Sequence, residues 1–147
     1  MKITEALLAE HLVFHNLFDH IEKVVPQLNT LAEVKTLAAM MESMLRGHSD
    51  TEDDLFLGPL DHCFEQMGQR DQFMREHKEM DGSLQAVQQA VRMESARKLL
   101  LVAVAHSRRH FDKEERIVFP LAEQMLKSET LEALGKTWVE QRVRVSV

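Results

Sequence analysis

Apolar residues recur at steps of three and four along most of this chain, the spacing that lays one face of an α-helix against a core. From Thr4, a residue suited to capping, Leu7, His11, Phe14, Phe18, Ile21 and Val25 draw one such seam, and Pro26 ends it. A second seam reads Val34, Leu37, Met41, Met44, His48, Glu52 and Leu55, with Glu33, Lys35, Glu42 and Arg46 on its outer side. Gly58-Pro59 breaks or kinks it. The third seam is Phe73, His77, Met80, Leu84, Val87 and Val91; the fourth is Leu99, Ala103, His106, His110, Glu114, Ile117 and Leu121, kinked near its end by Pro120. After Ser128, a second capping residue, Leu131, Leu134 and Trp138 predict a short extra helix that closes one end of the assembly, and the tail from 140 to 147 has no readable pattern.

Short connections at residues 27–30 and 93–95 favour antiparallel neighbours. The fold class that follows is all-α: an up-down-up-down four-helix bundle over about residues 4–126, with the extra helix and tail over 128–147, in one domain spanning 1–147. Residues 56–70 are expected to be irregular, and His62 and Cys63 within them incidental. The two halves repeat: Glu10-His11 matches Glu76-His77, His48 with Glu52 matches His110 with Glu114, and DLFLGPL from Asp54 matches RIVFPL from Arg116, with Gly58 as one extra residue.

Composition narrows the picture. Five Gly, three Pro and no Tyr in 147 residues leave a chain dominated by good helix formers, long enough to bury a core unaided. Metal, if bound, would then serve function more than folding. The formal charge of −6 and the lack of a basic patch argue against nucleic acid as a partner. A single cysteine forms no internal disulfide, Glu5 and Glu10 stand where a signal peptide needs an apolar run, and no stretch is apolar enough to span a bilayer. No membrane association and a reducing cytoplasm are expected.

Each seam contains a histidine where an apolar residue belongs, and two contain a glutamate one turn later. Burying a lone carboxylate costs several kcal/mol unless a cation compensates it. His11 stands about fourteen residues from its turn, His48 about seventeen, and His77 and His110 about fifteen each. At roughly 1.5 Å per residue the four share one layer. Residues four apart lie on one helix face, so His48 with Glu52, and His110 with Glu114, each present a nitrogen and an oxygen to the axis, and two glutamates can bridge two metals. Mixed imidazole and carboxylate donors suit iron, manganese or zinc alike.

The bland alternative is a metal-free bundle whose core histidines bond the glutamates. One His-x-x-x-Glu pair would mean little in a chain with eight His, but two in register, each preceded by a Glu-His helix, are specific. His20 and His62 fall on no paired seam and read as solvated. Met40, Met41, Met44, Met74 and Met80 read as packing. The acidic run Asp50, Glu52, Asp53, Asp54 lacks the spacing of a calcium loop, and only Glu52 of it is expected to face inward.

Together Glu10-His11, His48-x-x-x-Glu52, Glu76-His77 and His110-x-x-x-Glu114, followed by Phe119-Pro120-Leu121, resemble the hemerythrin-like (HHE) cation-binding domain over about residues 4–126. The resemblance implies two iron ions joined by an oxo or hydroxo group, with Glu52 and Glu114 as bridging carboxylates and His11, His48, His77 and His110 as terminal ligands. Oxygen-carrying hemerythrins of invertebrates have two histidines four apart on the third helix and a final aspartate. Here Asp81 follows His77 and Glu114 replaces that aspartate, which argues against reversible oxygen carriage. His15, one turn after His11, is a possible additional ligand or a flanking group, and His106 is expected to line the pocket.

A binding or sensing protein for dioxygen, nitric oxide or peroxide is the expected function, with Phe14, Met44, Met80 and His106 as pocket walls, acting alone or through a protein partner or dimer. The alternative is a di-iron enzyme acting on peroxide or nitric oxide, or an iron-donating repair protein. Ferritin-style storage would call for Glu-x-x-His, which the sequence lacks.

Overall fold

A computed structural model describes residues 1–66 and 68–145, with the side chains at 56, 57, 63, 64, 66 and 145 excepted. Among them only helices and turns occur. Helix α1 spans Ile3–Val24, opened by Glu5, whose side chain accepts the Lys2 N–H. At Pro26 the chain tightens into a 3-10 turn, Val25–Gln27, and leaves the helix, as the sequence predicts. Thr30 caps α2, Leu31–Thr51, by accepting the Glu33 N–H.

Gly58-Pro59 does not interrupt the path after α2. The helix widens into a π turn over Glu52–Leu57 and continues as α3, Gly58–Gln66. Proline in a first turn removes no bond that the new helix needs, and Pro59 is the second residue of α3. The expected irregular stretch of 56–70 is therefore mostly helical. Gly68, at φ +67°, turns the chain in the left-handed conformation that favours glycine, and α4, Arg70–Gln89, follows. The second half repeats the device: α5, Met93–Lys113, passes into a π turn over Glu114–Val118 and then into α6, Phe119–Met125, with Pro120 second.

Two apolar clusters hold these helices together. One contains Phe14, Phe18 and Ile21 of α1, Val34, Ala38 and Met41 of α2, Leu84 and Val87 of α4, and Leu100 and Val104 of α5. The other contains Ile3 and Leu7 of α1, Leu60 of α3, Phe73 of α4, Val118, and Phe119 of α6. Helices α1 and α4 run from the second cluster to the first, and α2 and α5 run back, so the four rods alternate in direction. His11, His48, His77 and His110 sit where each rod passes between the clusters.

The seams of α1 and α4 are buried as predicted, apart from Val91, which lies beyond α4 and is 87% exposed. In α2 the buried face runs through Ala38 and Leu45, with Leu37 and Met44 displaced towards solvent. In α5 Leu100, Val104, Ser107 and Phe111 are buried, and Ile117 in the following π turn is half exposed. Adjacent apolar pairs at 37–38, 44–45 and 99–100 fit two registers equally, and packing selects one.

The C-terminal element differs most from expectation. It is a long helix, α7, over Ser128–Val145, and it takes in most of the tail that has no readable pattern. Rather than closing one end, it runs beside α1: Leu131 packs with Ile3 and Leu7, and a Cβ at Gly135 would overlap the Met1 carbonyl oxygen. No helix among the described residues is long and apolar enough to cross a membrane.

Candidate metal centre

Between the two clusters, six side chains meet. His11, His48, Glu52 and Glu114 offer ligand atoms all within 4.8 Å of one another, and so do Glu52, His77, His110 and Glu114. The two sets overlap in the two glutamates. All six residues are buried, Glu52 and Glu114 completely. The His11 and His48 Nε2 atoms are 3.2 Å apart, and those of His77 and His110 2.9 Å. Two nitrogens at about 2.1 Å and a right angle on one ion would stand about 3 Å apart, so each histidine pair is spaced for a shared cation.

A ring of outer carboxylates orients the imidazoles. His48 Nδ1 faces Glu10 at 3.4 Å and His110 Nδ1 faces Glu76 at 2.7 Å, while His11 Nδ1 faces Glu115 at 3.0 Å. His77 Nδ1 lies 3.4 Å from Asp53 Oδ1, without hydrogen-bond alignment. The pattern is pseudo-symmetric: the residue before the histidine in the first helix of each hairpin, Glu10 in α1 or Glu76 in α4, serves the partner helix, and the residue after each buried glutamate, Asp53 or Glu115, serves the opposite hairpin. A carboxylate on Nδ1 keeps the proton there and aims the Nε2 lone pair at the centre. Asp53 therefore faces inward to His77, against the expectation that Glu52 alone of its acidic run does so. The wider π turns at Glu52 and Glu114 bring successive side chains closer in direction, which lets two adjacent acids serve one site.

Without a cation the centre is electrostatically costly. None of the four oxygens of Glu52 and Glu114 accepts an aligned hydrogen bond, although imidazole nitrogens approach to between 2.8 and 3.5 Å. Burial and the negative Glu52 push the Glu114 carboxyl well above the usual range. For Glu52 burial is outweighed by the neighbouring Glu114 carboxyl, His48 and His77, which hold it well below that range. Burial opposes charge on His48 too, but Glu10 and Glu52 raise it to about 9; Asp53 and Glu52 raise the buried His77 to about 9. His11 falls to about 4 through burial and the charge of His48, and His110 is lowered, chiefly by burial. Protons thus stand where cations would satisfy the same donors, and the residues present fit a bound metal.

His15 does not enter the cluster: its Nε2 lies 2.9 Å from Glu115 Oε1, beside the His11 contact. His106 belongs to neither donor set and lines, with Glu76, Glu79, Met80, Arg109 and His110, a surface cleft of about 230 Å³. Phe14 and Met44 line a second cleft, of about 370 Å³, against Glu10, His48 and Arg142. His20 and His62 are exposed, and the Cys63 side chain lies outside the described residues. Met41 and Met80 are buried in the core, whereas Met40, Met44 and Met74 are partly exposed.

Sequence reasoning missed Glu10, Asp53, Glu76 and Glu115 as orienting groups, and also Phe111, whose ring stacks on His11. The repeated Glu-His pairs at 10–11 and 76–77 were the available signal for two of them.

A protein-family model described as hemerythrin HHE cation binding domain matches residues 2–122. No curated protein and no solved structure matches the chain.

Proposed function

Since this chain belongs to the hemerythrin HHE cation-binding domain family and is a metal-binding protein, we propose that it is a non-haem di-iron protein that binds or senses dioxygen, nitric oxide or peroxide. The observation that carries this reading is the pair of overlapping donor sets sharing Glu52 and Glu114, whose buried oxygens have no other aligned partner. His11 and His48 would hold one iron, His77 and His110 the other, and the two glutamates both, with an oxo or hydroxo group completing the bridge. Two nitrogens and two carboxylate oxygens supply four donors per ion. A structural zinc site closes at four, whereas iron accepts more and keeps room for a small ligand.

When bound, the iron pair would supply open coordination positions and reversible electron transfer to a small oxidant or gas. The chain contributes the rest. Glu10, Glu76 and Glu115 hold imidazole Nδ1 protons outward. The apolar clusters above and below exclude bulk water, which strengthens every interaction in the layer. The clefts beside His48 and His110 bring small molecules to the flank of the site without opening its core.

Metal analysis of purified protein, followed by anaerobic reduction and exposure to air or nitric oxide, tests the proposal. Two irons per chain and a change in the visible spectrum on exposure to one of the gases are expected. Two irons that never respond to either gas would overturn gas binding, and many turnovers of peroxide would make the site catalytic instead.

A further inference from the structure

Helix α7 lies outside the segment that the family model matches, and it meets the ring of outer carboxylates at Glu10. Trp138 Nε1–H donates to Glu10 Oε1 at 3.0 Å, and Arg142 Nη2 lies 3.1 Å from each Glu10 oxygen. The guanidinium is anchored in turn by Thr51 Oγ1 at 2.8 Å and the Gly47 carbonyl at 3.3 Å, and sits 5.3 Å from the Trp138 ring. His48 Nδ1 reaches the same oxygen, Glu10 Oε1, and only at 3.4 Å. Three donors thus crowd one oxygen that has two lone pairs.

The pseudo-symmetric partner is arranged differently. Glu76 receives Lys113 Nζ on Oε1 at 3.1 Å and keeps Oε2 for His110 Nδ1 at 2.7 Å. Cation and imidazole occupy separate oxygens there, and the imidazole bond is shorter by 0.7 Å, the difference between 3.4 and 2.7 Å. An outer carboxylate strengthens a metal-bound imidazole in proportion to the hydrogen bond it accepts.

Resting on the dinuclear reading above, we propose that α7 makes the two metal positions inequivalent: Arg142 and Trp138 draw Glu10 away from His48, so that the Nδ1–H of His48 on one ion has a weaker outer partner than the Nδ1–H of His110 on the other. Arg142 and Trp138 are positioning residues, acting through Glu10 without touching the metal. The added positive charge of Arg142 works in the same direction, because it repels a cation on the His48 side.

The test uses the full chain, stripped of metal and titrated with cobalt(II) by calorimetry, with proton NMR of the loaded protein to follow the exchangeable N–H of each ligand histidine. In wild type two binding steps are expected. Arg142→Gln should tighten one of them by about tenfold, the lower end of the range for outer partners of metal ligands, leave the other unchanged, and shift the His48 N–H but not that of His110. Trp138→Phe keeps the ring and loses the donor, so it should move the same step in the same direction by less. In a Glu10→Gln background Arg142→Gln should tighten that step by clearly less than in wild type, because only the effect of its charge remains. A purely structural α7 would leave both steps and both resonances in place, or weaken both steps together; either result overturns the proposal, as does loosening of the step in both variants. If Arg142→Gln fails to fold, Trp138→Phe decides. A wild type that takes up fewer than two ions overturns the dinuclear reading itself, a failure visible before any variant is made.

Discussion

The Phe111 ring lies flat on the imidazole of His11, 3.9 Å between centroids and 7° from parallel. Phe111 follows His110 in α5, so one helix supplies a donor to one histidine pair and a packing wall to the other. It also meets Phe14 at 5.4 Å and Phe18 at 5.8 Å, which ties the donor layer to the first apolar cluster. Phe111→Ala should cost about 3–5 kcal/mol, the usual result for removing a buried aromatic ring. Because His11 loses the surface that fixes its plane, metal affinity should fall as well. Denaturant unfolding of metal-free protein measures the first effect and a metal titration the second; a variant with wild-type values for both would show the stacking to be incidental.

Glu52→Ala or Glu114→Ala should lose the metal pair while leaving a helical protein. Each glutamate belongs to both donor sets, so removing one deprives two ions of a ligand at once. The fold should survive, since neither carboxylate holds an aligned hydrogen bond and both apolar clusters remain. Metal content should drop from two per chain towards zero with the far-ultraviolet circular dichroism retained. A variant that keeps both ions would contradict the bridging assignment.

The donor layer was legible because its faults were periodic. His11, His48, His77 and His110 interrupt apolar seams at matching heights, and helix geometry turns matching heights into proximity. The outer ring was not legible in the same way. Asp53 and Glu115 adjoin buried glutamates, where a polar residue ordinarily marks the solvent side of a helix, and only the π turns redirect them. Those turns left no periodic trace beyond the extra residue at Gly58. The register of α2 was ambiguous for a simpler reason: Leu37-Ala38 and Met44-Leu45 offer apolar side chains on both candidate faces. For α7 the segment WVEQRVRV mixes charged and apolar residues without a clear helical stripe, and its role depends on Glu10, which is 132 positions from Arg142.

His15→Ala should keep the metals. Its imidazole contacts Glu115 at 2.9 Å and is about one-third exposed, whereas every member of the two donor sets is buried. Loss of His15 frees Glu115 to serve His11 alone, so metal content should be unchanged and affinity altered by less than about tenfold, below the usual effect of removing a direct partner of a ligand. His11→Ala, by contrast, should empty one position. Equal loss of metal in the two variants would put His15 among the ligands.

The stabilisation that metal provides should grow with pH between about 6.5 and 9. In metal-free protein His48 and His77 titrate at about 9, above the ordinary histidine value of 6.5. A raised folded value means that these protons stabilise the fold fully below pH 6.5, and that this contribution is lost as pH climbs through 9. The raised Glu114 carboxyl acts with the same sign, since its ionisation on burial is unfavourable. Loaded protein has already exchanged those protons for cations, and metal binding releases them to solvent. Metal-free protein should therefore melt at progressively lower temperature from pH 6.5 to 9, the loaded form should hold steady, and the gap between them should widen. Paired thermal melts with and without a chelator, at pH 6.5, 7.5 and 9, measure it. A gap that stays constant across the three would mean that metal and protons do not compete for His48, His77 and Glu114, and the donor assignment would have to be redrawn.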